Sequence, residues 1–216
     1  MAQSLSTATV TRLYQYFQIF KAARGSGLEH VSSEVLSGKL GIDASSVRKD
    51  LAGVASGVQK LGYCVSPTLY ALEDFLGIHN TKEAFLVGVG SLGRALLGYR
   101  GFAESGLDIL AAFDVDEERI GNTIAGKTTL PLSKLTNLVQ RLNVKIGIIT
   151  VPADAAQSIA DLMIASGMIA IWNFAPITLT LPADIIVRNE NLAAGFSLLS
   201  YELKRLLEQT KESEDQ

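Results

Sequence analysis

Hydrophobic residues in the first 80 positions recur at helical spacing. Leu13, Phe17 and Phe20 lie four and three residues apart, which predicts a helix with one buried face. Ser32 precedes a second apolar pattern that stops at Gly41, and serine is a preferred residue at helix N-termini. The sequence therefore predicts a second helix through Leu40, whose expected buried stripe is Val35, Leu36 and Leu40.

The same region continues with a third helix and a short strand. The polar run 43–46 is a typical helix cap and predicts a helix over Val47–Leu51. Glycines then punctuate the chain as far as the segment 62–66, which is predicted to be a short strand. One more helix is expected over Leu69–Leu76, followed by a linker over 77–81. This order of elements is typical of a winged helix-turn-helix.

From Ala84 the pattern changes to apolar runs that alternate with helical segments. Continuously apolar runs are typical of parallel strands that are covered on both faces. Strand–helix alternation predicts a doubly wound parallel sheet, so the fold class is α/β. The predicted strands are Phe85–Val89, Leu107–Phe113, Val144–Val151 and Ile169–Trp172, and helices are predicted between them, for example over Ser91–Tyr99 and Asp154–Ser166.

A last helix is predicted from Leu192 to about Glu208, followed by a polar tail. Its apolar residues recur at heptad-like spacing and would form a stripe too hydrophobic to stand alone in water. They are Leu192, Phe196, Leu199, Leu203 and Leu206. The predicted domains are a winged-helix domain over 1–80, a nucleotide-binding domain over 81–188, and a helix and tail over 189–216.

Composition narrows the class of protein. The chain has 216 residues, 48% of them hydrophobic, and a net charge of −3, which gives no general reason to expect nucleic-acid binding. One cysteine, Cys64, excludes an internal disulfide framework and is consistent with a reducing compartment. The N-terminus has no secretory h-region, and no apolar run reaches the ~20 residues of a membrane span. We therefore expect a cytoplasmic protein.

A glycine motif follows the first strand of the second region. Gly88, Gly90 and Gly93 form G-x-G-x-x-G, with Ser91 and Leu92 between the last two glycines. After a strand and before a helix, this motif is typical of Rossmann dinucleotide sites, in which the pyrophosphate lies at the helix N-terminus. Asp114 ends the next strand ~20 residues on, where a carboxylate binds the adenosine ribose and repels a 2′-phosphate. The motif therefore predicts NAD(H) rather than NADP(H); the alternative is a glycine-rich turn beside a surface aspartate.

Two later strands end in residues that could line the nicotinamide pocket. These are Thr150, Val151 and Pro152 after the third strand, and Asn173 and Phe174, before Pro176, after the fourth. Ligands bind at the carboxyl edge of such sheets, although ordinary strand-end turns explain the same residues equally well.

The third helix carries the candidate DNA contacts. Ser45, Ser46, Arg48 and Lys49 lie where a recognition helix meets bases and phosphates, and Arg12 lies at the start of the first helix. The alternative is a solvated helix face. Residues 1–80 contain seven basic and six acidic side chains, a net of +1, which is weaker than the basic footprint of most DNA readers.

Catalytic groups are scarce. The two histidines, His30 and His79, both lie before the Rossmann segment. Tyr201 and Lys204 lack the Y-x-x-x-K spacing, and about 130 residues leave no room for a substrate domain. The sequence therefore disfavours a dehydrogenase and predicts neither an enzyme nor a metal site.

The chain resembles the Rex family of bacterial redox-sensing transcriptional repressors over nearly its whole length. The matching segments are Thr11–Leu13, Val31–Glu34, Val47–Leu51, Gly88–Gly93 with Tyr99–Phe102, Phe113–Asp116, Thr150–Ala153 with Ala156 and Gln157, and Asn173–Pro176. The resemblance implies a homodimer with a swapped C-terminal helix, which NADH closes and releases from operator DNA. It also implies a cofactor role for Tyr99 and DNA contacts by Lys60 and Tyr63.

Three departures from the family pattern concern DNA binding and its control. The segment 52–63 is one residue shorter than the family's aromatic and basic segment, and before Tyr63 it lacks the family's aromatics and an arginine. Gln18 and Asn191 replace an arginine and an aspartate that help to couple cofactor and DNA binding in the family. Two functions therefore stay open: an NADH-released repressor, and an NAD(H)-binding accessory subunit that has lost operator recognition.

Overall fold

The computed structural model of the chain describes residues 5–79 and 82–214. The chain divides into two compact units, Met1–Thr81 and Lys82–Gln216, and each unit is described by itself. The predicted linker residues Asn80 and Thr81 lie outside the described residues.

The first unit consists mainly of helices. Its elements are α1 (Thr7–Gly25), β1 (His30–Val31), α2 (Ser33–Leu40), α3 (Ala44–Leu51), β2 (Tyr63–Cys64) and α4 (Val65–Phe75). The short strands β1 and β2 pair antiparallel, with His30 opposite Cys64. The helix-turn-helix and the strand after it follow the predicted order, while β1 was not predicted.

Side chains define where the helices begin. Ser32 caps α2 by accepting the Val35 N–H at 3.3 Å, and Asp43 caps α3 by accepting the Ser46 N–H at 2.9 Å. Gly41 ends α2 with a φ of 65°, a left-handed conformation that glycine adopts without steric cost. Both caps lie in the polar segments that were predicted to open these helices, and α3 begins at Ala44, before the predicted Val47.

Two local predictions in this unit are wrong. Val35 is 48% exposed, because the side chain that packs into the core is its neighbour Leu36, at 0% exposure. The predicted strand ends at Cys64, and α4 begins at Val65 rather than at Leu69. Val65 is buried, and its N–H donates to the carbonyl of Glu29, so the chain enters the helix directly from the sheet.

The second unit alternates strands and helices. Its first elements are β3 (Lys82–Val87), α5 (Ser91–Leu97), α6 (Arg100–Glu104), β4 (Leu107–Asp114), β5 (Thr123–Ile124), β6 (Lys127–Pro131) and α7 (Leu135–Leu142). The remaining elements are β7 (Ile146–Ile149), α8 (Ala153–Ala165), β8 (Ala170–Asn173), β9 (Ile186–Asn189) and α9 (Leu192–Glu214).

Across residues 82–214 the strands form one seven-stranded sheet in the order β5-β6-β4-β3-β7-β8-β9. All neighbouring pairs are parallel except β5 with β6. The strand order reverses beside β3, and open α/β sheets bind ligands at such a switch point. The doubly wound parallel sheet is therefore confirmed, while β5, β6 and β9 were not predicted.

Apolar side chains bury both faces of the central strands. Phe85 and Phe113, on β3 and β4, meet edge to face with ring centroids 5.1 Å apart, and they pack under α7 and α8. Ala84, Leu86 and Ile148 belong to a second cluster that packs against α5. Because both faces are covered, these strands are continuously apolar in sequence.

The C-terminal helix α9 is longer than predicted. It extends to Glu214, so residues 211–214 of the predicted tail are helical. Every side chain from Ala193 to Gln209 is exposed, including Phe196 at 71% and Leu199 at 62%. None of the helices in residues 5–79 and 82–214 is long and apolar enough to cross a membrane.

Candidate nucleotide-binding and DNA-binding sites

A cavity of about 600 Å³ lies at the carboxyl ends of the central strands of the second unit. Its volume falls within the ~300–1,000 Å³ of ordinary small-molecule sites. The lining residues are Val87, Gly88, Gly90, Leu92, Asp114, Val115, Asp116, Arg119, Leu132, Thr150, Val151, Pro152, Ala155, Ile159, Phe174 and Pro176. The cavity therefore brings together most of the predicted cofactor residues.

Two of the three motif glycines are required by close packing. Gly88 has a φ of +100°, and a Cβ built on it would lie 2.8 Å from the backbone carbonyl of Thr150. A Cβ on Gly93 would overlap the carbonyl oxygen of Gly88. A Cβ on Gly90 would meet nothing within 4 Å, because that position faces the open cavity. Gly88 and Gly93 therefore shape the loop, and Gly90 leaves room for a ligand.

The carboxylate of Asp114 ties this loop to the end of β4. Its Oδ2 accepts the Val89 N–H at 2.7 Å and Arg119 Nη1–H at 3.2 Å. Its Oδ1 accepts the N–H groups of Val115 at 2.8 Å and Asp116 at 3.0 Å. Burial alone would raise the pKa of Asp114, but these donors outweigh it and lower the pKa, so the group stays ionised.

Thr150 supports the glycine loop from the neighbouring strand end. Its hydroxyl donates to the carbonyls of Gly88 at 2.6 Å and Val87 at 3.1 Å. Val151 and Pro152 continue the cavity wall towards α8. The end of β7 thus contributes three lining residues, of which Thr150 also holds the glycine loop.

Asn173 acts through the turn that follows β8. It is fully buried; its Oδ1 accepts the Ala175 N–H at 2.9 Å, and its amide donates to the Ile177 carbonyl at 2.9 Å and Asn189 Oδ1 at 2.9 Å. These bonds fix the turn that presents Phe174 to the cavity. Asn173 itself does not line the cavity.

Ser91, Gly93 and Tyr99 also lie away from the cavity lining. Ser91 is exposed as the first residue of α5, and Gly93 is buried beneath the loop. Tyr99 is 60% exposed, and its ring meets the edge of Phe102 with centroids 5.0 Å apart. Phe102, Trp172 and Phe174 continue this aromatic chain, with neighbouring centroids 5.3 and 5.0 Å apart, towards the cavity.

Sequence reasoning missed several lining residues. Asp116 and Arg119 follow β4, and Arg119 pairs with both Asp114 at 3.2 Å and Asp116 at 3.0 Å. Their signal in the sequence was an acid and a base three residues apart, shortly after Asp114. Leu132 was missed with β6, because that short strand has no long apolar run.

In the first unit, Arg12 forms a salt bridge with Asp50 within the domain. Its Nε and Nη2 donate to Asp50 at 2.6 and 2.8 Å, and the Tyr16 hydroxyl donates to the same carboxylate at 2.9 Å. The Arg12 bond is the main reason that the pKa of Asp50 is lowered. Arg12 thus joins α1 to α3, and this geometry does not favour its predicted role as a DNA contact.

The two serines at the start of α3 bind their own helix cap. The hydroxyls of Ser45 and Ser46 both donate to the carboxylate of Asp43, the latter at 2.8 Å. These bonds, with the Ser46 N–H, hold the pKa of Asp43 well below its usual range. Both serines therefore face a negative charge in this structure.

Of the remaining candidate DNA contacts, some side chains are exposed and others bond to or pack against residues of their own domain. Lys49 and Lys60 are exposed, and Lys60 occupies a turn with a φ of 66°. Arg48 donates to the Ser33 hydroxyl at 3.1 Å and lies 3.7 Å from the Glu34 carboxylate. Tyr63 is only 6% exposed and packs edge to face on Phe20, so its ring belongs to the domain core rather than to a DNA surface.

The two residues that depart from the family pattern have local partners. Gln18 donates to the Tyr14 hydroxyl at 2.9 Å. Asn191 caps α9, because its Oδ1 accepts the N–H groups of Ala193 at 3.1 Å and Ala194 at 3.2 Å. Within the described residues, no three side chains of histidine, cysteine, aspartate or glutamate are grouped as a metal site requires.

Two family models match the chain, and the second match begins close to the boundary between the two compact units. A model described as "Putative DNA-binding protein N-terminus" matches residues 4–52, and one described as "CoA binding domain" matches residues 79–177. Curated relatives named redox-sensing transcriptional repressor Rex match at greater length. The relative from Treponema denticola is 41% identical over 88% of this chain and 91% of its own, and that from Desulforamulus reducens is 40% identical over 94% and 97%.

This chain belongs to the Rex family. Solved structures agree with the assignment. The structure titled RSP in complex with beta-NADH is 31% identical, has a TM-score of 0.88, and covers 96% of this chain and 98% of that chain. RSP in complex with beta-NAD+ and operator DNA is 32% identical, has a TM-score of 0.87, and covers 97% and 98%.

Proposed function

We propose that this Rex-family protein is an NAD(H)-responsive transcriptional repressor that binds operator DNA as a homodimer and is released when NADH binds. The observation that carries the proposal is a cavity of about 600 Å³ beside the glycine motif, in a chain that matches Rex repressors along nearly its whole length. The relatives are named repressors, and the related RSP structures contain NADH, or NAD+ with operator DNA. A repressor of this kind would work in the cytoplasm.

The residues present fit a dinucleotide. The first N–H groups of α5 have no partner within the helix, and Gly90 leaves open space in front of them for a pyrophosphate. Acidic side chains at the end of β4 would serve the adenosine ribose. Val151, Phe174 and Pro176 give the other end an apolar wall suited to a nicotinamide ring.

The redox state of the cofactor changes the charge of its nicotinamide ring, which is positive in NAD+ and neutral in NADH. An apolar wall disfavours an unpaired charge, so the surroundings of Phe174 support a preference for NADH. A ligand shifts DNA binding only by its differential affinity for the two conformations of the protein. A hundredfold preference corresponds to about 2.7 kcal/mol, which is enough to change operator occupancy.

Dimerisation is assigned to α9. The exposed side chains Phe196, Leu199 and Leu203 form an apolar stripe along one side of this helix, and a second copy of the chain would cover it. Two-fold symmetric helix-turn-helix proteins read two half-sites of a palindromic operator. Lys49 and Lys60 are exposed for phosphate contacts in each copy.

A second function has its own support. Arg12, Arg48, Ser45 and Ser46 all bind side chains of their own domain, which leaves few groups directed at DNA. This arrangement favours an NAD(H)-binding accessory subunit whose N-terminal domain docks on a protein. The two functions differ in one property, which is selective binding to the operator.

The deciding experiment is fluorescence-anisotropy titration of the protein with DNA from its own upstream region at fixed salt. NADH and NAD+ are added separately, and a scrambled duplex of equal length is the control. A repressor binds the upstream duplex selectively and loses it with NADH. Binding of NADH without selective DNA binding in any cofactor state would contradict the repressor and favour the accessory subunit.

A further inference from the structure

The acceptor capacity of Asp114 is already used within the protein. Each carboxylate oxygen has about two acceptor positions. Oδ2 accepts from Val89 and Arg119, and Oδ1 accepts from Val115 and Asp116, so four donors occupy the group. The side chain is also only 6% exposed. A ribose hydroxyl would have to displace one of these bonds to reach it.

Asp116, unlike Asp114, has free hydrogen-bond acceptor positions. Its Oδ1 accepts one bond, from the Glu118 N–H at 3.0 Å, and its Oδ2 pairs with Arg119 Nε at 3.0 Å. Each oxygen therefore keeps a free acceptor position. The side chain is 34% exposed and lines the same cavity, two residues beyond the end of β4.

Arg119 fixes the relation between the two acids. Its guanidinium donates a hydrogen bond to Asp114 through Nη1 and forms an ion pair with Asp116 through Nε, and it also lines the cavity. Because Asp114 is held by three backbone N–H groups, it is a rigid anchor for Arg119. Arg119 in turn holds the carboxylate of Asp116 at the cavity.

We propose that Asp116, positioned by Arg119, accepts the adenosine-ribose hydroxyl of the dinucleotide, whereas Asp114 serves as the structural anchor of the loop. This inference rests on the proposed NAD(H) site and reassigns its specificity-determining acid. A 2′-phosphate would meet the Asp116 carboxylate at the open position, so the same residue disfavours NADP(H). Asp114 contributes to specificity only through the geometry that it imposes.

The test is a comparison of dinucleotide affinities by isothermal titration calorimetry on the full chain. The ligands are NADH, an NADH analogue with 2′-deoxyribose on the adenosine side, and NADPH. The variants are Asp116→Ala, Asp116→Asn and Arg119→Ala, with Arg119→Lys as the conservative variant. Glu117→Gln is the matched control, because it removes a charge from the same segment at an exposed position outside the cavity lining.

We expect the wild type to bind NADH about tenfold more tightly than the deoxy analogue, the usual effect of a charge-assisted hydrogen bond. Asp116→Ala should bind both ligands equally, and Asp116→Asn should gain affinity for NADPH. Arg119→Ala should reduce the discrimination, Arg119→Lys should restore part of it, and Glu117→Gln should match the wild type.

The outcomes separate this inference from the proposed function. A wild type that does not bind NADH contradicts the proposed function itself. A wild type that binds NADH, with Asp116→Ala keeping full discrimination against the deoxy analogue, overturns the inference alone. Loss of that discrimination in a folded Asp114→Asn variant, with Asp116→Ala unaffected, would return the ribose contact to Asp114.

Discussion

Arg12 and Asp50 form a bidentate salt bridge that joins the first helix to the third, with Nε 2.6 Å from Oδ2 and Nη2 2.8 Å from Oδ1. The Asp50 side chain is 7% exposed, so loss of its partner leaves a nearly buried charge. We expect Arg12→Ala to lower the free energy of unfolding by about 2 kcal/mol. Urea denaturation measures this change. Arg24→Ala, at an exposed position of the same helix, is the control and should change stability by less than about 0.5 kcal/mol.

The same pair predicts how stability depends on pH. The Arg12 bond lowers the pKa of Asp50 in the folded protein, so its contribution is present above the unfolded pKa of about 4. That contribution is lost as the pH falls through the lower folded pKa. Urea midpoints measured between neutral pH and pH ~3 should therefore decline on acidification. Asp50→Asn should flatten part of this decline, and an unchanged profile would contradict the coupling.

The three motif glycines should respond differently to alanine. Gly93→Ala places a Cβ against the Gly88 carbonyl, and Gly88→Ala forces a φ of +100° on alanine, so both should lose about 2 kcal/mol or more of stability. Gly90→Ala has open space around its Cβ and should fold normally while it weakens NADH binding. Thermal melts and NADH titration separate the effects. A Gly90→Ala protein with wild-type affinity would show that no ligand approaches this backbone.

Arg48 is paired with Glu34 within its own domain, and removal of that acid is predicted to raise the affinity for DNA. Glu34 lies 3.7 Å from Arg48 and would also repel a phosphate, so Glu34→Gln should strengthen DNA binding severalfold. Lys49→Ala and Lys60→Ala should each reduce the slope of log K against log salt by about 1, if each lysine neutralises one phosphate. Anisotropy at four salt concentrations measures both effects. Equal slopes in all three variants and the wild type would argue against a DNA surface here.

The apolar stripe of α9 predicts a self-association that one charge can weaken. Phe196 is 71% exposed, so Phe196→Asp should leave each chain folded while raising the dimer dissociation constant at least tenfold. Arg205→Gln changes a residue on the opposite side of the helix by its spacing and should leave the constant unchanged. Sedimentation velocity over a concentration series measures both. A Phe196→Asp protein that remains dimeric would place the interface elsewhere.

Sequence patterns predicted the elements whose own residues determine them. The apolar part of β3 and the helix caps at Ser32 and Asp43 were identified, because burial and capping leave local signals, although β3 begins at Lys82 rather than at Phe85. The strands β5, β6 and β9 were missed because two to five residues, partly exposed, carry no clear periodicity. Their position depends on the neighbouring strand rather than on their own composition.

The candidate sites show the same division. The glycine motif and the strand ends located the cavity, because backbone conformation limits which residues can stand there. The interaction partners of charged and aromatic side chains could not be predicted from local sequence patterns. Arg12 pairs with Asp50 across 38 positions of sequence, and Tyr63 is buried by packing on Phe20 from another element. Contacts of this kind depend on the tertiary fold.

The bond from the Val89 N–H to Asp114 holds the glycine loop through a contact within the protein itself, with no group of a ligand taking part. Because the loop is held in this way, binding does not have to order its backbone. Association then needs only a diffusional encounter and no refolding of the loop. Differences in affinity between NADH and NAD+ should then appear mainly as differences in residence time. For a cell whose metabolism changes quickly, such a receptor follows the concentration of the free dinucleotide with little delay of its own.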